Sequence, residues 1–388
     1  MSGDAGGGLR LTRLKLSQFR NYAALTWRPA ARIAAIHGPN GSGKTNLLEA
    51  VSLLVPGRGL RNARVMELAR QAPDASGEWG VAGRVLTAEG EADIGTGTPQ
   101  GGPLDRRVFR LDGAAPRSQA ALAARVSAVW LTPQMDRLFQ EGASGRRRFL
   151  DRLVFALEPA HAREVSAHEA AMTQRNRLLA EGGRDAAWLA GLEDTMARHA
   201  VAVAAGRRNL VSRLNAALAS GPSLGHGIAG GFPAATLTLL CPIGDRLETA
   251  PAVAVEEWLR DALAAGRGVD AAAGSTRLGA HRADMALHDA ATGQSAALAS
   301  TGQQKALLVG VVLGHAALLG QARGMAPLLL LDEPAVHLDG ARRTALFTAL
   351  LASPAQVLIT STDGDVFRPL QGAAELLRTG HDRLVPDD

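Results

Sequence analysis

The chain is short of cysteine, tyrosine and lysine: one, one and three among 388 residues. The lone Cys241 excludes an intrachain disulfide and a multi-cysteine zinc or iron–sulfur centre, and it suits a reducing compartment. Aromatic residues make up only 4% of the chain, too few for rows of base-stacking platforms. With Lys15, Lys44 and Lys305 the only lysines, 39 of the 42 basic residues are arginines, set against 37 acids for a formal charge of +5. The guanidinium fork suits phosphate, so an anionic partner is permitted but not demanded. Long apolar runs are missing too. The longest, Ala306–Gly320, holds His315 and is shorter than the ~20 residues of a membrane span. Met1–Gly8 has no apolar core of a signal peptide. The expectation is a soluble, cytoplasmic protein with no membrane partner. At ~100–200 residues per domain, it should have two or three domains.

What is present is ordered. Leu14, Leu16 and Phe19 alternate with polar residues as in a strand. A second apolar run, Ile33–Ile36, ends in a glycine loop. Leu47, Leu48, Val51, Leu54 and Val55 then recur at helical spacing up to Pro56-Gly57. Residues 72–118, rich in Gly, Pro and Ala, read as strands and turns, and Val126–Leu131 as a buried strand. Residues 160–219 lack proline and carry apolar residues at helical spacing, which predicts a helical hairpin broken near Gly182-Gly183. At ~1.5 Å per residue its arm reaches at most ~50 Å. Linkers are expected at Gly221–Gly231 and Ala264–Ser275, on either side of a strand (Thr236–Leu240) and a helix (Val255–Leu263). Leu328–Leu331 and Val357–Ile359 read as buried strands.

Three segments carry chemistry. Gly38-Pro39-Asn40-Gly41-Ser42-Gly43-Lys44-Thr45 has the spacing of a P-loop, between a strand and a helix. Its backbone N–H groups and the helix N-terminus would cradle phosphates. Lys44 would reach the β- and γ-phosphates, and Thr45 would give a hydroxyl to Mg²⁺. Leu328–Leu331 delivers Asp332-Glu333 to a strand end, where open α/β sheets place ligands. There Asp332 would hold Mg²⁺ and Glu333 would act as general base toward water. Ser300-Thr301-Gly302-Gln303 precedes an apolar helix, either as a second anion-binding cap or as an ordinary N-cap. It lies about 30 residues before the acid pair, which is followed by Leu338-Asp339.

These segments, in this order, resemble an ABC-type ATPase head. Within that superfamily the chain resembles the RecF family of bacterial recombination mediators, related to SMC-type ATPases. The resemblance rests on Phe19-Arg20-Asn21-Tyr22, Gly41–Ala50, Gly57-Arg58-Gly59-Leu60-Arg61, Arg146–Asp151, Gln174–Leu179 and Gly279–Asp284. It departs from the family at Ala280, where the family has proline, and in pairing Asp332 with glutamate. The implied fold is α/β: a P-loop head, a mixed sheet flanked by helices, built from residues 1–135 and 271–388. A mainly helical domain would be inserted at 136–270. The implied function is an ATP-dependent homodimer that clamps gapped or junction DNA and works with RecR and RecO to load RecA, with weak ATPase activity. The P-loop and acid pair of one copy would meet Ser300, Gly302 and Gln303 of the other. Arg20, Asp339 and Thr362 would complete the nucleotide site, with Thr362 in the run that takes the place of a transporter's switch histidine. Gln134 is a candidate metal-side glutamine, or simply a turn after a strand.

Two arginine clusters remain. Arg58, Arg61, Arg64 and Arg70 oppose only Glu67, and Arg146, Arg147, Arg148 and Arg152 oppose only Asp151. Charge alone reads equally as duplex-phosphate contacts or as a solvated face. For His281 a satisfied buried histidine is the plainer reading. A transporter's nucleotide-binding subunit would share the three nucleotide segments, but would need neither the helical insert nor the arginine motifs.

Overall fold

The computed structural model describes residues 8–73, 75–182, 185–219, 232–380 and 383–387. The linker expected at Gly221–Gly231 lies outside them. The chain forms two compact units: Met1–Arg137 with Ala217–Ala234 and Ala299–Asp388, and Leu138–Ala216 with Ala235–Leu298.

The first unit opens with β1 (Arg10–Phe19), β2 (Tyr22–Trp27), β3 (Ile33–His37) and α1 (Lys44–Ser52). Next come β4 (Gly80–Thr87), β5 (Gly90–Gly97), β6 (Val108–Leu111), α2 (Gln119–Arg125) and β7 (Ala128–Leu131). The second unit takes α3 (Ala143–Leu157), α4 (His161–Ala180), most of α5 (Ala186–Ala219), β8 (Ala235–Leu240), α6 (Pro242–Arg246), α7 (Ala252–Ala265), α8 (Arg267–Ala273) and β9 (Asp284–Asp289). The chain returns to the first unit with α9 (Thr301–Arg323), β10 (Leu328–Leu331), α10 (Gly340–Ala352), β11 (Val357–Ser361), β12 (Ala374–Gly380) and β13 (Arg383–Pro386).

An antiparallel five-stranded sheet in the order β2-β1-β4-β5-β6 uses the alternation seen in the sequence: Leu14 and Leu16 are buried and Lys15 is exposed. The six-stranded sheet, β13-β12-β3-β11-β10-β7, is parallel except for its β12–β13 edge. Its central strands β3, β11 and β10 are buried almost throughout, and β10 is four leucines, as a sheet covered on both faces requires. The side chain of Gln356 joins the two sheets by bonding Leu11 N and Leu11 O at 2.6 and 3.1 Å. The parallel order sets the C-terminal ends of β3, β11 and β10 side by side. Ser361 pairs with His37, and Ile359 with Leu331. Residues that follow these strands therefore meet at one edge.

The apolar stretch read as Ala306–Gly320 is part of a 23-residue helix, α9. By length and composition alone α9 would span a bilayer, but most of it is buried against its own unit.

In the second unit, α4, α5 and α7 enclose an apolar core that includes Met196, Ala200, Val203, Leu259 and Leu263. Arg175 lies inside it, fully buried. Its Nε bonds Glu193 at 3.0 Å, Nη1 bonds Asp270 at 2.7 Å and Thr276 at 2.9 Å, and Nη2 bonds Leu263 O at 2.8 Å. Two departures from the sequence reading follow from local chemistry. The stretch read as a linker at Ala264–Ser275 contains α8, because its alanines favour helix and Gly274 ends it in a left-handed turn. Residues 271–298 join the helical unit, because β9 pairs with β8 along its whole length.

Candidate nucleotide site

The loop after β3 is held from beneath by the Phe19–Tyr22 turn. Tyr22 OH donates to Gly43 O at 3.1 Å, and Asn21 Oδ1 accepts from Asn46 at 2.7 Å. Gly43 has φ 104°, and a Cβ there would lie 2.5 Å from Asn21 and 2.7 Å from Tyr22. Only glycine fits that approach. Gly43 also starts α1 with no side-chain cap, so the first-turn N–H groups remain available for an anion. Arg20, expected at the nucleotide, works behind the loop. Its Nε and Nη2 hold Glu49 at 2.8 Å and its Nη1 bonds Glu67 O at 2.7 Å. Arg61 joins the same carboxylate at 3.4 Å and Asn46 at 2.7 Å. Glu49 is fully buried and needs both cations.

Lys44 curls back into its loop, donating to Gly38 O at 2.7 Å and Pro39 O at 3.0 Å. Burial pushes its ammonium below the ordinary lysine value, and Glu333 and Asp332 pull the other way. Pro39, Asn40 and Gly41 are exposed at the loop's crest, while Ser42 is buried and bonds Thr379. Thr45 Oγ1 donates to Asp332 at 2.9 Å, bringing together two groups that are far apart in sequence. A hydroxyl and a carboxylate at that distance are the oxygen donors that Mg²⁺ takes beside phosphates and water, so these residues fit the ion.

Thr360, which the sequence reading passed over, completes this contact. Its hydroxyl donates to Asp332 Oδ1 at 2.7 Å and accepts the Glu333 N–H at 3.1 Å. Glu333 has φ 50°, the left-handed region, at a cost of about 1–3 kcal/mol that neighbouring structure must offset. The expected Thr362 is exposed and does not bond the acid pair. It borders a cavity of about 210 Å³ shared with Glu333, His337, Thr360 and Asp363. The strand boundary is the signal that separates these threonines: Thr360 lies inside β11 and bonds the acid pair, whereas Thr362 lies past the strand's end at Ser361.

Ser300 caps α9. Its Oγ accepts the Gln303 N–H, and Gln303 Oε1 accepts the Ser300 N–H at 2.9 Å. Ser300 is exposed. A Cβ on Gly302 would lie 2.8 Å from His337 O, so this helix start and the Leu338-Asp339 loop sit in close contact. Asp339 caps α10 by accepting from Arg342 N at 2.8 Å. Gln134 is exposed on a short 3₁₀ turn and bonds neither Thr45 nor Asp332. Two residues on, Asp136 pairs with the buried Lys305 of α9 at 2.8 Å.

The arginine clusters divide. Arg146 grips both oxygens of Asp284 at 2.8 Å, Arg147 donates to Ala283 O at 2.9 Å, and Arg61 serves Glu49. These three act within the protein. Arg58, Arg64 and Arg148 are exposed.

Residues 10–381 match the RecF/RecN/SMC N terminal domain family. The chain is 45% identical, over 97% of its length and 98% of the relative's, to the DNA replication and repair protein RecF of Mesorhizobium japonicum. It is also 45% identical to the RecF of Agrobacterium fabrum, over 96% of this chain and 97% of that one. A solved structure of the recombination mediator protein RecF with ATPrS, in the RecFOR pathway, superposes with a TM-score of 0.83 at 22% identity, covering 100% of both chains.

Proposed function

The chain belongs to the RecF family of DNA replication and repair proteins, and from that premise we propose that it is an ATP-gated clamp on DNA. The observation that carries this reading is the Thr45–Asp332 contact, taken together with the exposed Ser300 cap at the start of α9. ATP with Mg²⁺ binds the Gly38–Thr45 loop and Asp332. The γ-phosphate side is closed by Ser300, Gly302 and Gln303 of a second copy, so the triphosphate joins two chains. Glu333 orients the attacking water, and slow hydrolysis reopens the dimer. The exposed arginines Arg58, Arg64 and Arg148 make salt-sensitive contacts to the backbone of gapped or junction duplex. RecR and RecO are the partners that this placement in recombinational repair calls for. RecA loading and the SOS response are its downstream effects, in the cytoplasm.

The test is sedimentation with ATP, ADP or no nucleotide, each with and without gapped DNA. A dimer should appear with ATP alone, sediment with gapped DNA and vanish in Lys44→Ala. An ATP- and magnesium-loaded protein that stays monomeric overturns the reading.

A further inference from the structure

The helical unit holds a cavity of about 180 Å³ that the nucleotide reading leaves unused. Arg147, Arg148, Arg207, His168 and His281 line it, with Asp151 and Glu169 as the acids. The charge of Asp151 is already answered: Arg207 holds its two oxygens at 2.7 and 2.8 Å, and His161 bonds it at 2.8 Å. Arg147 commits Nη1 alone, to Ala283 O. Arg148 is exposed and has no partner among the described residues. The lining therefore carries a surplus of guanidinium charge.

Two of the lining residues, His168 and His281, are stacked imidazoles with centroids 5.6 Å apart. His281 Nε2 bonds Thr276 O at 2.9 Å. A carbonyl only accepts, so Nε2 carries the proton, and Nδ1 of the neutral ring is a bare lone pair. Among the described residues that Nδ1 has no partner, and neither does Nε2 of His168, a residue only 2% exposed. Both nitrogens flank the space over Gly279, where a Cβ would lie 2.8 Å from His281 Nδ1 and 3.1 Å from His168 Nε2. A buried polar atom with no partner costs about 1–3 kcal/mol. Burial, then neighbouring positive groups, keep both rings below the ordinary histidine value, His168 at about 4, so both rings are neutral near pH 7 and His281 Nδ1 is an acceptor.

We propose that this cavity binds a phosphate that brings its own proton: hydrogen phosphate or a phosphate monoester. Such a ligand offers oxyanion edges to Arg147 and Arg148 and a P–O–H to the imidazole lone pair. Its second ionisation lies near pH 6, so the protonated form is at hand in neutral solution. Sulfate has the shape and charge without the proton, and an internal phosphodiester has the charge without the hydroxyl. Both are refused. The ligand comes either from free phosphate or from the phosphorylated end of a nucleic-acid strand. The site does not depend on the nucleotide reading.

The experiment is calorimetry on the full chain in a Lys44→Ala background, which silences the P-loop as a competing phosphate site. Inorganic phosphate should bind saturably and sulfate should not. Arg148→Ala should weaken phosphate binding at least about tenfold without moving thermal unfolding. Arg177→Ala, on an 81%-exposed side chain of the same unit, should leave it unchanged. If an oligonucleotide with a 5′-phosphate displaces phosphate and its 5′-hydroxyl twin does not, the source is a strand end. If neither displaces it, the source is free phosphate. No phosphate binding, equal binding of sulfate, or an Arg148→Ala variant that binds normally overturns the proposal.

Discussion

The Thr360 hydroxyl and the Asp332 carboxylate are 2.7 Å apart, and the same hydroxyl accepts the Glu333 N–H. One side chain on β11 thus braces both acids at the end of β10. Thr360→Val keeps the shape and removes the brace. Magnesium-dependent ATP affinity and turnover should drop ~10–100-fold, as for other residues that orient a metal ligand. Nucleotide binding in EDTA should not change. Fluorescent-nucleotide titrations with and without Mg²⁺ measure the difference, and an unaltered magnesium dependence would count against the role given to Asp332.

Ser300→Ala removes a helix cap, a stability loss of about 0.5–2 kcal/mol. Nucleotide affinity should survive and ATP-dependent dimerisation should not. Gly302→Ala should give the same split, because its methyl would press on His337 O at 2.8 Å. Sedimentation beside a nucleotide-binding assay separates the two effects. A Ser300→Ala protein that dimerises normally sinks the assignment across the interface.

Arg175→Met leaves Glu193 and Asp270 buried without their shared cation. Losing one member of a buried ionic cluster costs about 3–5 kcal/mol. Arg175→Lys should not rescue it, since an ammonium cannot reproduce the planar fork. Urea unfolding of the three proteins tests this. Near-equal midpoints would mean the cluster relaxes without the guanidinium.

His168 titrates near 4 in the folded chain, lowered first by burial and then by His281, Arg207 and His199. In the unfolded chain its ordinary value is near 6.5. Between these values the unfolded state holds more protons, so stability falls as pH drops through that window and is flat above it. The full loss is on the order of 3 kcal/mol. His281 is shifted in the same direction and adds to the slope. Urea midpoints at pH 7, 5.5 and 4.5 should decline, and His168→Phe should flatten the decline. Parallel slopes in the two proteins would contradict the shift.

The P-loop, its flanking strand and helix, and the buried strand before Asp332 were legible because glycine spacing and apolar runs are local signals. The helical hairpin was legible too, in the absence of proline and the spacing of Leu189, Leu192 and Met196. What resisted was partner choice at long range. Arg20 and Arg146 read as ligand-seeking charges in one dimension, and Arg175 only as one residue of a family motif. Their partners Glu49, Asp284, Glu193 and Asp270 are identified only once the chain is folded. The sequence reading took Thr362 from its run, and the end of β11 at Ser361 is what sets Thr360 apart from it. The extent of the insert depended on a β8–β9 pairing that neither segment announces by itself.

Glu49 is gripped by Arg20 from the turn after β1 and by Arg61 beyond the helix end. Rotating α1 would tear open a buried ion cluster, so the proposed phosphate loop would rest on a fixed floor. In the proposed function, loading and discharge of a nucleotide would then be expressed as motion of whatever docks on top.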